Sequence, residues 1–422
     1  MHHVSVDRLR DAYRALSPRA AAGVDGMTWE SYGQDLEVRL RDLHGRVMRG
    51  AYRASPSRRV YIPKTDGRLR PLGIAALEDK IVQRAVVEVL NAIYETDFLG
   101  FSYGFRAGRG AHDALDALVV GLERKKVNWV LDADIRDFFT GLDHSWLAKF
   151  LEHRVADKRV LRLIQKWLRA GVIEDGAWSA SDSGSPQGAT ISPLLANVYL
   201  HYVFDLWAQQ WRREHARGDV LIVRYADDVV LGFQHQSDAE RFRSELADRL
   251  ASFGLSLNAD KTRLIRFGRF AAQQRRERGL GRPETFEFLG FTHYCATTKD
   301  GRFAVRRATI TKRMAAKLGE IKVLLMQRRH WPIQAQGRWL GRVVRGHLAY
   351  YSVPGNIHQV TAFRDEVRRL WYRALRRRGQ KHRMNWQKMR RHSDRWIPPA
   401  RYTHPWPNER FNARTQVRSP VR

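Results

Sequence analysis

The chain has 422 residues, 43% of them hydrophobic, which is enough for a large core and two or three domains. It carries 75 Lys and Arg against 44 Asp and Glu, a net charge of +31, and that balance points to a polyanionic partner, most simply nucleic acid. The single cysteine, Cys295, excludes a disulfide framework and any zinc site that needs two or four cysteine ligands, and fits a reducing, cytoplasmic location. No apolar run approaches the roughly 20 residues that span a bilayer, and Met1-His2-His3-Val4 lacks an apolar signal core, so no membrane partner is expected.

In chain order, residues 1–50 read as charged helices with a turn at Gly23-Val24-Asp25-Gly26. Residues 78–94 place Ile81, Ala85, Val86, Val89, Leu90 and Ile93 at helical spacing. Trp129-Val130-Leu131-Asp132-Ala133-Asp134-Ile135 alternates toward a strand that ends at Asp134. Val220-Leu221-Ile222-Val223 and Val229-Val230-Leu231 read as short buried strands, because β-branched residues dominate. Asp227 and Asp228 then sit at a hairpin tip.

Beyond about 305, three helical patterns follow. They centre on Ile310, Met314, Ile321 and Leu325; on Trp339, Val343, Val344, His347 and Tyr351; and on Val360, Phe363, Val367, Leu370 and Trp371. Ser352-Val353-Pro354-Gly355-Asn356 separates the last two, as Pro and Gly should. After 380, Trp386, Trp396 and Trp406 alternate with basic residues. They suit base stacking, and equally the anchoring of an irregular tail on a core. Residues 301–422 hold 30 Lys and Arg against 5 Asp and Glu, whereas the first 300 hold 45 against 39. The positive grip therefore lies in the C-terminal quarter.

Unpaired buried carboxylates are costly, so a buried acid pair usually meets a cation or a basic partner. Asp227 and Asp228 with Asp134 as a third acid can hold two Mg2+ ions for phosphoryl transfer. The plainer reading is a helix-capping Asp134 and a polar turn at Asp227-Asp228.

The company these acids keep resembles the bacterial group II intron-encoded reverse transcriptase/maturase family. Ile62-Pro63-Lys64 with Arg70-Pro71-Leu72-Gly73-Ile74 resembles its fingers motif, and Ser102-Tyr103-Gly104-Phe105-Arg106 with Gly108-Arg109 resembles its insertion. Gly184-Ser185-Pro186-Gln187-Gly188, Tyr225-Ala226-Asp227-Asp228 and Gly254-Leu255 with Asn258 and Lys261-Thr262 resemble palm motifs. Phe286-Glu287-Phe288-Leu289-Gly290-Phe291 resembles the primer grip, and Arg345-Gly346-His347-Leu348-Ala349-Tyr350-Tyr351 the thumb.

The resemblance implies an α+β right-hand polymerase fold. Its parts would be an N-terminal extension (1–50), fingers and palm with an antiparallel sheet (51–296), a helical thumb or maturase domain (297–380) and a basic tail (381–422). It implies an RNA-directed DNA polymerase adding dNTPs to a DNA primer on an RNA template, and binding group II intron RNA and a DNA target. Asp134, Asp227, Asp228 and the Ile135 carbonyl would hold two Mg2+ ions, with Mn2+ as a substitute. Lys64, Arg70, Phe139, Gln187, Gly188 and Lys261 would bind the nucleotide, Phe139 by excluding a 2′-hydroxyl. Arg106, Arg109, Arg342, Arg345, Arg376, Arg377 and Arg378 would bind nucleic acid. Absence of further Cys and His pairs suggests the type without an endonuclease. Alternatives are a splicing cofactor without essential polymerase activity, or a domesticated reverse transcriptase in defence or repair. The sequence departs from the family pattern at Ala107, Thr140 and Ala189, where Pro, an acid and Gly are usual.

Overall fold

The computed structural model describes residues 1–63, 69–174, 176–180, 184, 188–379 and 384–416. Lys64 and Gln187, two of the nucleotide-binding candidates, lie outside them. The described chain forms two compact units. The first comprises 1–114, 131–231 and 235–264; the second comprises 115–130, 232–234 and 265–422.

The first unit opens with α1 (Val6–Ala15), α2 (Trp29–Gly33) and α3 (Leu36–Met48), the charged N-terminal helices expected. Ser5 caps α1, and Thr28 with Ser31 forms a capping box on α2. A sheet follows, built from β1 (Ser57–Pro63), β2 (Leu69–Ile74), and later β4 (Val172–Glu174) and β5 (Ala177–Ser179), in the order β2-β1-β4-β5. β1 and β2 pair antiparallel with Ile62 opposite Arg70, whereas β1 and β4 pair parallel, so this sheet is mixed rather than antiparallel.

Between these strands the chain runs through α4 (Leu77–Tyr94), α5 (Ala111–Arg124, in the second unit from Leu115 on), β3 (Trp129–Asp134, in the first unit from Leu131 on), α6 (His144–Glu152) and α7 (Lys158–Arg169). α4 buries Ile81, Val82, Ala85, Val86 and Leu90, the face that its periodicity predicts. Next come α8 (Ser192–Leu200), a π-helical stretch (His201–Asp205), α9 (Leu206–Glu214), β6 (Val220–Tyr225), β7 (Asp228–Phe233), α10 (Gln236–Ala251) and β8 (Arg263–Arg266). α8 is buried almost all round, as a central helix should be. β6, β7, β3 and β8 form a second sheet, in the order β6-β7-β3-β8. Every residue of β6 before Tyr225 and every residue of β7 after Asp228 is buried.

The second unit adds α11 (Ala271–Glu277), a sheet of β9 (Phe286–Phe288), β10 (Phe291–Thr297) and β11 (Phe303–Thr309), then α12 (Thr311–Gln327), α13 (Ile333–Tyr351), α14 (Ile357–Arg376), α15 (Trp386–Trp396) and α16 (Pro407–Gln416). α12, α13 and α14 are the three helices read from the sequence. They share one apolar core of Ile321, Leu325, Leu340, Val344, Phe363, Val367 and Trp371.

Two expectations are corrected here. The boundary at 296–297 cuts through β10, whose pairing with β11 runs from Phe291 to Thr297. The tail after 380 is helical over α15 and α16, and α15 is folded onto the core. Met389 and Ile397 are buried there, and a Cβ on Gly337 would come within 2.5 Å of the Trp396 ring. Trp396 is an anchor. Trp386 is exposed on one side and stacks on Tyr372 at 4.2 Å.

Candidate active site

Asp134 closes β3, and Asp227 lies in the turn between β6 and β7 with Asp228 opening β7. β7 and β3 are neighbours in the sheet, so the acids end adjacent strands. The turn is tight: Ala226 takes a left-handed φ of 56°, uncommon for a residue with a side chain. Asp227 is half-buried and Asp228 exposed. Burial holds the Asp227 carboxyl above the usual carboxylate range. The charge of Asp134 pushes the same way, while Arg70 and Arg224 oppose it.

No helix follows Asp134. The first one, α6, is capped by Asp143, whose carboxylate accepts from Ser145 N and Trp146 N. The capping explanation of Asp134 therefore fails. Its surroundings come from the loop before β8. Asn258 N donates to Asp134 O at 2.8 Å, Thr262 Oγ1 accepts from Asp134 N at 3.4 Å, and Lys261 Nζ reaches the carboxylate at 3.2 Å. Lys261, in the turn before β8, thus pairs with the acid directly.

The other candidates separate clearly. Phe138 is buried, while Phe139 is partly exposed beside it, edge-on at 5.4 Å. Arg70 is exposed on β2, and its charge reaches Asp227. Gly188 has φ 111°, and a Cβ there would meet the Gly73 carbonyl oxygen at 2.8 Å. Its freedom serves the approach of the β2 backbone. Ala189 is buried, so its extra methyl packs inward. Thr140 Oγ1 donates to Asp137 O at 2.8 Å and closes its own turn.

Arg106 and Arg109 require correction as nucleic-acid contacts. Arg106 is buried, and its guanidinium donates to both Glu95 oxygens (3.0 and 2.8 Å) and to the carbonyls of Leu99 and Ser102. Arg109 donates to the carbonyls of Gly100 and Ser102. Both staple the loop of 99–109, because buried guanidinium donors must be satisfied. In the second unit, Arg342, Arg345, Arg376 and Arg377 are exposed. Arg378 is half-buried and donates to the Trp331 carbonyl.

Two residues that carry the site were not singled out from the sequence. Arg224 is fully buried within β6, one residue before Tyr225. It donates to both oxygens of buried Asp205 (2.7 and 2.5 Å), to Asn197 Oδ1 at 3.1 Å, to Ser102 Oγ at 2.7 Å and to Ala226 O at 3.0 Å. The hub binds the acid-bearing turn to the π-helical stretch that presents Asp205, and π-helical segments recur at functional sites. The signal was an arginine inside an otherwise apolar strand. Beside it, Tyr103 N donates to Arg224 O, and a Cβ on Gly104 would collide with the Ala226 nitrogen.

Asp134 and Asp227 suit a hard divalent cation: their charges repel, and Arg70 and Arg224 offset the burial of Asp227 only in part. Among the described residues, no three His, Cys, Asp or Glu side chains stand close enough to hold a metal. The pair, not a ready-made trio, is what the fold presents.

A palm-like four-stranded sheet with acids at the ends of adjacent strands, followed by a helical unit, defines a polymerase of the right-hand class. The profile of the reverse transcriptase (RNA-dependent DNA polymerase) family matches residues 62–293, and the chain belongs to that family. Protein YkfC of Escherichia coli K12 is 36% identical over 274 residues, covering 57% of this chain and 71% of YkfC. The group II intron-encoded protein LtrA of Lactococcus lactis subsp. cremoris is 35% identical over 191 residues, 45% of this chain and 32% of LtrA. The COX1/OXI3 intron 1 protein of Saccharomyces cerevisiae is 27% identical over 310 residues, 61% of this chain and 36% of its own length. The chain spans about a third of these two intron-encoded relatives. The family read from the motifs is the one these relatives represent. No helix among the described residues is long and apolar enough to cross a membrane.

Proposed function

We propose that the chain extends a DNA primer on an RNA template, with Asp134, Asp227 and Asp228 as its catalytic acids. The observation that carries this is the coupling of Asp134 and Asp227 on adjacent strands of a reverse transcriptase domain. With the Ile135 carbonyl, the three acids would hold the two Mg2+ ions, which supply charge neutralisation at the triphosphate and acidify the primer hydroxyl. Asp227, already reluctant to stay ionised, gains most from such a cation. Lys261 aims the Asp134 carboxylate by pairing with it at 3.2 Å. Arg70, with Lys64, grips phosphate oxygens of the incoming dNTP. Phe139, half-exposed beyond Phe138, lies under the sugar and disfavours a 2′-hydroxyl, and Gln187 and Gly188 line the same nucleotide.

The names of the intron-encoded relatives and the exposed Arg342, Arg345, Arg376 and Arg377 support a second activity, binding of group II intron RNA to assist splicing and mobility. Primer extension on an RNA template with dNTPs and Mg2+ is the test. Wild type should extend, and Asp227→Asn should lose at least about 10^3-fold in rate while binding RNA as before. Extension by the variant would remove Asp227 from the chemistry. Tight RNA binding without extension by wild type would leave only the splicing role.

A further inference from the structure

The first 300 residues are nearly balanced in charge, yet one helix of the first unit is not. α7 carries Lys158, Arg159, Arg162, Lys166 and Arg169 and no acid within its length. Its apolar face buries Val160, Leu163, Ile164, Trp167 and Leu168, which turns the cations outward. Arg159 pairs with Asp157, and Lys166 donates to the carbonyls of Gly50 and Tyr52. Arg162 and Arg169 are exposed and, like Arg53 opposite them, take part in no ion pair among the described residues.

These arginines line an open groove of about 570 Å3 whose other wall is Trp178. Trp178 lies on β5, the edge strand of the mixed sheet, and is 59% exposed. Its position is nonetheless fixed. The indole N–H donates to Ala170 O at 3.2 Å, and the ring lies so close over Gly171 that a Cβ there would meet it at 2.5 Å. The groove thus offers a held aromatic face among guanidiniums that make no ion pair with a described residue, and no acidic residue lines it among the described residues.

We propose that this groove binds an unpaired stretch of nucleic acid, separately from the polymerase acids. A base stacks on Trp178, and the flanking phosphates lie on Arg53, Arg162 and Arg169. Stacking on a flat ring is indifferent to base identity, and guanidiniums pair phosphates two bonds at a time. A protein partner with acidic side chains would use the arginines, but it would leave the held indole without a matching surface. The proposal depends on the polymerase reading only in that the chain handles nucleic acid.

The full-length chain should be photo-crosslinked to single-stranded RNA carrying 4-thiouridine, and in parallel to DNA carrying 4-thiothymidine. Label should map to the peptide containing Trp178. Arg162→Gln/Arg169→Gln should lose that label and reduce the slope of log Kd against log salt by about 1.4, two single-strand phosphates at about 0.7 each. Trp178→Ala should weaken binding at least about fivefold. Both variants should extend a short primer-template like wild type, so a wild type that fails to extend counts against the polymerase reading alone. Labelling by RNA and DNA alike supports recognition of base and phosphate, and labelling by RNA alone supports an added 2′-hydroxyl contact. Label confined to residues 301–416 with an unchanged salt slope would overturn the proposal. So would displacement of the probe by polyglutamate together with an unaffected Trp178→Ala, since that pattern belongs to an acidic protein partner.

Discussion

Asp227 is an acid held in a state that the fold alone disfavours. Its folded pKa is raised, first by burial and then by Asp134. Between the unfolded and folded pKa values the native state binds more protons than the unfolded chain, so stability falls as pH rises through that window. At neutral pH the ionised carboxylate is a net cost. Asp227→Asn should therefore melt at or above the wild-type temperature at pH 7, and the advantage should vanish below the ordinary carboxylate range. Thermal melts at pH 7 and pH 3 check this, and a variant less stable at pH 7 would contradict the assignment. Arg224 poses the opposite case. Removing it by Arg224→Met leaves Asp205 buried without its guanidinium partner, which costs about 3–5 kcal/mol. The pair Arg224→Met/Asp205→Leu should recover most of that stability, because an apolar pair can replace a buried ion pair. If Arg224 is a positioning residue for the acid turn, the double variant folds but keeps a lowered kcat with little change in KM. Full recovery of kcat would make the hub structural only.

At the scale of elements, the hairpin of β6 and β7 is braced by a loop that never carries chemistry itself. Gly104 lies against the Ala226 backbone, and a methyl there meets peptide atoms that cannot rotate away. Gly104→Ala should cost about 1–3 kcal/mol by overpacking. It should also slow extension more than it lowers the melting temperature of the first unit, because the displaced atoms belong to the acid turn. Equal extension by the variant in its folded fraction would show that the loop does not position the turn. These particulars explain what the sequence revealed. Apolar runs announced β6 and β7, and helical spacing announced α4 and α12 to α14, because burial on one face leaves a period in the chain. Asp134 and Asp227 were legible as acids where apolar strands end. The hub of Arg224 and Asp205 was not, since nothing in a sequence says which buried arginine meets which buried acid 19 residues away. The same ignorance of partners sent Arg106 and Arg109 to the surface. α15 was missed because its Trp, His and Arg content suits a tail as well as a helix, and only its packing on Gly337 decides.

For the whole molecule, the distribution of charge separates two duties. Residues 301–422 hold most of the excess positive charge, while Asp134, Asp227 and Asp228 lie in the first unit. Arg338, Arg342 and Arg345 on α13 line an open groove of about 750 Å3, together with Trp331, Trp339 and Trp396. Arg328 lies over two of those rings, at 4.8 Å from Trp331 and 4.7 Å from Trp339. These guanidiniums face an aromatic wall and are not consumed by the core as Arg106 is. Arg338→Gln/Arg342→Gln/Arg345→Gln should therefore flatten the log-log salt dependence of RNA binding by about 2.1–2.7, near 0.7–0.9 for each phosphate released. Extension under saturating primer-template should persist, since no reacting group is touched. Fluorescence anisotropy across a salt series measures the slope directly. An unchanged slope would move the grip to other basic surfaces. A slope that flattens while saturated extension also collapses would mean that grip and chemistry are energetically one system, so that charge placed far along the chain sets how the acids meet the primer.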